Sequence, residues 1–128
     1  MTDATDEKAI LGFDFATIDN MAPAALDALP FGTIRLDAEG RVKKFNLYES
    51  NLSGLSKESV IGRSFFREVA PCADVKEFHG RFREGVERRK LHAKFRYHFA
   101  FKQNPRDVQI TLFYSDITSS VWVLVQPV

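Results

Sequence analysis

A chain of 128 residues and 14.6 kDa has the size of one ordinary domain and no room for two enzymatic ones. With 45% hydrophobic and 27% charged residues it has the make-up of a water-soluble globular protein, which excludes a disordered or fibrous chain. Eighteen Lys and Arg against seventeen Asp and Glu leave a formal charge of +1, so no global field selects nucleic acid or an anionic membrane as a partner. The single cysteine, Cys72, excludes an intramolecular disulfide and a multi-cysteine zinc site, and it fits a reducing compartment. Acidic residues stand at Asp3, Asp6 and Glu7, where a secretory signal would be basic, and no apolar run reaches membrane-span length. A cytoplasmic monomer is expected.

Residues 1–28 combine an acidic start with scattered apolar positions (Ile10, Phe13, Phe15, Ile18, Met21) and read as short helical turns docked on the body, an N-terminal cap. From residue 29 to 128 the pattern is that of one folded unit. Thr33 to Asp37 alternates, Ala38-Glu39-Gly40 turns, and Arg41 to Phe45 partly alternates again, which predicts a β-hairpin. Asn46 to Ser56 mixes capping residues with spaced apolar ones and predicts short helices, with Phe45 and Glu49 on one face if helix reaches that far. Ser56 is a candidate N-cap, and Phe65 to Ala70 must stop at Pro71. Val75, Phe78, Phe82 and Val86 recur three or four residues apart, predicting an amphipathic helix over about 75–88. A strict period of two runs from Leu91 to Phe101, placing Phe95, Tyr97 and Phe99 on the inward side and His92 and His98 toward water. Two further strands follow, Val108 to Tyr114 and Val121 to Val125.

The order is thus two strands, helices, then three strands, an α+β layout that closes into a five-stranded antiparallel sheet with helices on one face. That layout is PAS-like, and such domains clamp small ligands between sheet and helices. Twelve Phe against one Trp and three Tyr suit a dry interior able to bury a flat ligand, or ordinary packing.

Two residues stand out chemically. Cys72 follows a chain break at Pro71 and reads either as a small buried hydrophobe or as a nucleophile; a hydrolase would need a histidine beside it, and none is placed there by the pattern. Glu49, among Leu47, Tyr48 and Leu52, reads either as a solvated loop acid or as a carboxylic acid kept protonated by desolvation and able to donate a hydrogen bond. No cluster has metal-ligand spacing, and glycine-rich phosphate motifs are absent.

The runs Phe31 to Asp37, Val60-Ile61-Gly62-Arg63-Ser64-Phe65-Phe66-Arg67-Glu68-Val69-Ala70-Pro71-Cys72, Glu77 to Val86, Phe95 to Phe99 and Trp122 to Val125 closely resemble the photoactive yellow protein family over about 30–128. The resemblance implies a PAS-fold blue-light photoreceptor, not an enzyme, carrying 4-hydroxycinnamic (p-coumaric) acid as a thioester on Cys72. It implies that Glu49 donates a hydrogen bond to the buried phenolate and passes it a proton after trans-to-cis isomerisation, and that the cap loosens to signal a downstream protein. Tyr97 and Phe99 match aromatic positions near the family's pocket. Four positions depart from the pattern: Phe45 replaces a tyrosine donor, Ser53 a threonine, Leu55 an arginine, and Gln103 a methionine that assists return to the dark form. These imply a raised chromophore pKa, with Tyr48 as a substitute donor, and slow dark recovery that Gln103→Met would accelerate. The rival expectation is a PAS domain without pigment that serves as a small-molecule sensor or an interaction module.

Overall fold

The computed structural model describes residues 15–100 and 105–128, which places Gln103 and the first half of the cap outside the described residues. In chain order the elements are α1 (Phe15–Asp19), α2 (Pro23–Asp27), β1 (Gly32–Leu36), β2 (Val42–Phe45), α3 (Leu47–Ser53), α4 (Lys57–Val60), α5 (Arg81–Arg88), β3 (His92–Phe99), β4 (Arg106–Ser115) and β5 (Ser120–Pro127). The strands form one antiparallel sheet in the order β2-β1-β5-β4-β3. The central position of β5 explains its near-continuous apolar sequence: it has neighbours on both edges and packed layers on both faces.

The predicted hairpin forms because Asp37 closes it. Its Oδ1 accepts from the backbone N–H groups of Glu39 and Arg41, both at 2.9 Å, and Gly40 adopts the left-handed φ of 84° that the turn needs. The predicted helix over 75–88 divides into a wide turn, Lys76–Gly80, where Gly80 N–H reaches back to Val75 O at 3.4 Å, and regular helix from Arg81. Phe65–Val69 is a second wide turn, closed by Ala70 N–H to Phe65 O at 2.7 Å. The expectation that Phe45 and Glu49 share a helical face needs correction: Phe45 ends β2, and Asn46 begins the helix as its N-cap.

Each face of the sheet carries its own core. On one, Ile34, Phe45, Phe65, Phe78, Phe99 and Ile110 belong to the larger cluster, covered by the helical middle of the chain. On the other, Ile18, Leu26, Phe31, Phe113, Trp122 and Leu124 form a smaller cluster under α1 and α2, with Phe15 stacked on Phe113 at 3.8 Å. A carboxylate fastens this cap. Asp19 Oδ1 accepts from Trp122 Nε1 at 2.8 Å and Thr118 Oγ1 at 3.1 Å, and its Oδ2 accepts from Ser115 Oγ at 2.8 Å.

Candidate functional site

Asn46 builds the first turn of α3 and with it the position of Glu49. Its Oδ1 accepts from Glu49 N–H and Thr33 N–H, both at 3.0 Å, while its Nδ2 donates to Leu26 O at 2.7 Å and Phe31 O at 3.0 Å. One buried amide therefore joins the helix of Glu49 to strand β1 and to the cap. Asp27 adds a second tie, its Oδ1 accepting from Leu47 N–H at 2.8 Å.

Glu49 itself is 1% exposed, which overturns the solvated reading and leaves the protonated one. Burial pushes its pKa up to about 8, because an ionised carboxylate loses its hydration there. Among the described residues its Oε1 has no hydrogen-bond partner. Strand β1 makes room for this carboxyl by carrying Gly32 opposite it; a Cβ on Gly32 would collide with Glu49 Oε1. A buried acid oxygen left without a partner is costly to keep.

The other expected site residues lie around the same core. Phe45 and Phe99 are buried members of the larger cluster, and Leu55, Cys72, Tyr97 and Tyr48 are partly buried against it. Ser53 is buried, and its Oγ accepts from Leu55 N–H at 3.2 Å, so the hydroxyl is used to close the helix end. Cys72 occupies a short helical turn, Pro71–Ala73, and its thiol is free. The Tyr97 hydroxyl donates to the Cys72 carbonyl oxygen, which fixes the cysteine backbone from strand β3. Tyr97 is held above its ordinary pKa by burial, with smaller pushes from the Cys72 sulfur and the Glu77 carboxylate, so the phenol keeps its donor proton. Phe78 packs against strand β3, with ring centroids 5.2 Å from Tyr97 and 6.1 Å from Phe99.

The histidines are engaged elsewhere. His79 pairs with Asp74 at 2.7 Å and stacks on Phe66 at 4.0 Å, His98 pairs with Asp107 at 2.8 Å, and His92 meets Phe15 edge-on at 5.1 Å. His92 and His98 are exposed as their strand parity predicts. Among the described residues no group of three or more His, Cys, Asp or Glu could hold a metal ion, and no helix is long and apolar enough to cross a membrane.

Sequence reading missed Asn46, Gly32 and Asp19. Asn46 stands three residues before Glu49, the spacing of a helix-start motif, and could have been found; the other two depend on partners far away in the chain.

The PAS fold family model matches residues 20–126. The photoactive yellow protein of Rhodothalassium salexigens is 40% identical over 109 residues, covering 85% of this chain and 87% of that protein. That of Cereibacter sphaeroides is 34% identical over 122 residues, covering 93% and 98%. Among solved structures, the photoactive yellow protein domain of the sensor histidine kinase Ppr from Rhodospirillum centenum superposes with a TM-score of 0.82 at 43% identity, covering 87% of this chain and 97% of that one.

Proposed function

Because the chain belongs to the PAS family and, within it, to the photoactive yellow proteins, we propose that it is a blue-light sensor that holds p-coumaric acid as a thioester on Cys72 and stores a proton on Glu49. One observation carries this reading: the Glu49 carboxyl is buried, kept protonated and short of a partner at Oε1, which is the state a hydrogen-bond donor to a buried phenolate must have. When bound, the pigment supplies light absorption and a trans-to-cis twist.

Everything else is work for the protein's own side chains. Cys72 is an anchor through its sulfur and not a catalyst; Tyr97 holds its backbone in register. Phe45, Leu55 and Phe99 keep water out, which raises the cost of any charge formed inside. Glu49 would hold its proton at the carboxyl in the dark and, after the twist, would pass it to the phenolate oxygen of the bound pigment. The carboxylate left behind is ionised in a dry core, and α3 must move or admit water to relieve it. Asn46 and Asp27 then carry that movement to Leu26, Phe31 and α2, so the cap is the element that loosens. The output is a changed surface offered to a downstream signalling protein, without enzymatic turnover.

The test is reconstitution. Purified apoprotein treated with activated p-coumaric acid is expected to gain one coumaroyl mass on Cys72, turn yellow and bleach in blue light, and Cys72→Ala is expected to remain colourless. A chain that refuses the pigment, or takes it up equally without Cys72, is instead the PAS domain without pigment.

A further inference from the structure

We propose that the cleft between the cap helix α2, the edge strand β2 and helix α4 is a second binding site, for a small amphipathic carboxylate that pins the cap to the body. The cleft encloses about 240 Å³, below the roughly 300–1,000 Å³ of drug-sized sites, so its ligand is small. Leu26, of the cluster under the cap, and Phe45, of the cluster on the opposite face of the sheet, reach the cleft but are almost wholly buried, so Pro23 and Ile61 offer its open apolar surface. Ile61 is 42% exposed, an apolar side chain left at the rim.

Charge decides the head group. Three lysines, Lys43, Lys44 and Lys57, and one acid, Asp27, are among the residues that line the cleft, so its rim is basic on balance. Lys57 reaches Asp27 Oδ2 and Lys43 reaches Asp37 Oδ2, each at 3.7 Å, and the other oxygen of Asp27 is taken by Leu47 N–H. Lys44 is half-buried and has no ion-pair partner among the described residues. An ammonium with three donors and no carboxylate answering it favours an anion beside it. An inorganic anion would leave the apolar wall unused, and a neutral apolar molecule would leave Lys44 unanswered. A short hydrocarbon body ending in a carboxylate satisfies both. Asn46 also lines the cleft, so an occupant sits on the same joint that ties α3 to the cap.

A ligand bridging α2 to β2 and α4 binds the closed cap and not the loosened one, and mass action then favours closure. Resting on the photoreceptor reading, this predicts faster dark recovery when the cleft is filled.

The experiment titrates the full chain in the dark with hexanoate, hexanol and acetate by calorimetry. Hexanoate is expected to bind once per chain, about tenfold or more tighter than hexanol or acetate, a ratio that corresponds to about 1.4 kcal/mol. Lys44→Gln is expected to bring hexanoate down to the level of hexanol, and Ile61→Asp to weaken hexanoate as well, with circular dichroism checking that both variants keep the wild-type fold. Equal affinity for hexanoate and hexanol, or indifference to Lys44→Gln, overturns the site. The titration needs no light, so it tests the cleft even in a chain that refuses pigment. Intact binding with unchanged recovery would overturn the link to the cap alone.

Discussion

The two faces of the sheet each receive a carboxyl group from a short helix, and they treat it in opposite ways. Asp19, on the cap side, is met by three donors from Ser115, Thr118 and Trp122. Glu49, on the other side, is buried with Oε1 unanswered among the described residues, and burial pushes its pKa up to about 8. A satisfied carboxylate is a fastener whose energy comes from hydrogen bonds already made. An unsatisfied carboxylic acid is a reserve, since its proton can leave once something nearby accepts it. The contrast sets a carboxylate with its donors in place against an acid without them.

The sharpest way to break the contrast is to titrate stability. Glu49 is protonated in the folded chain and ionises at an ordinary carboxylate pKa in the unfolded one, so between that value and about 8 the folded state binds the extra proton. Stability is therefore fullest below the ordinary carboxylate range, falls by at most about 1.4 kcal/mol per pH unit through the window, and levels off above it. Urea midpoints of the apoprotein measured from pH 5 to pH 9 should show this fall, and Glu49→Gln should remove most of it. If the substituted chain keeps the same slope, the reserve is not on Glu49.

Asp19→Ala should be the next largest effect and of a different kind. It leaves Trp122 Nε1 without its acceptor and costs about 2 kcal/mol. Tryptophan emission should report the loosened cap. An unchanged urea midpoint together with unchanged emission would mean that Asp19 is no fastener and that the contrast is drawn in the wrong place.

The smallest effect sharpens the account of the pigment site. Phe45→Tyr restores a phenol donor in the larger core, and in the reconstituted protein it should lower the chromophore pKa by roughly one unit or less, since a hydrogen bond contributes about 1 kcal/mol. A visible pH titration reads it. An unchanged midpoint would show that the pigment already has its full complement of donors, with Tyr48→Phe as the companion measurement.

Much of this architecture is written locally. The period of two over His92–Phe99, the turn after Asp37, the Ser56 cap and the later part of the helix expected over 75–88 each follow from neighbours within a few positions. The wide turns at Phe65–Val69 and Lys76–Gly80 do not, because the same aromatic spacing suits a regular helix until Phe65, Phe66 and Phe78 pack edge to face and set the chain path. The site divides in the same manner. Cys72 is conspicuous by being alone, but whether Glu49 faced water or the interior was decided by the space left on another strand, and Asp19 finds its donors about a hundred residues later. Residues 1–14 and the position of Gln103 lie outside the described residues.

The bare backbone at Gly32 links two positions seventeen residues apart. Any larger residue there displaces the acid of α3, and a shorter acid at position 49 would leave a hole beside β1. The two sites should therefore drift together or not at all. In a selection for colour, randomising either alone ought to return the parent residue, whereas randomising both should yield paired solutions in which bulk gained on the strand is surrendered by the helix.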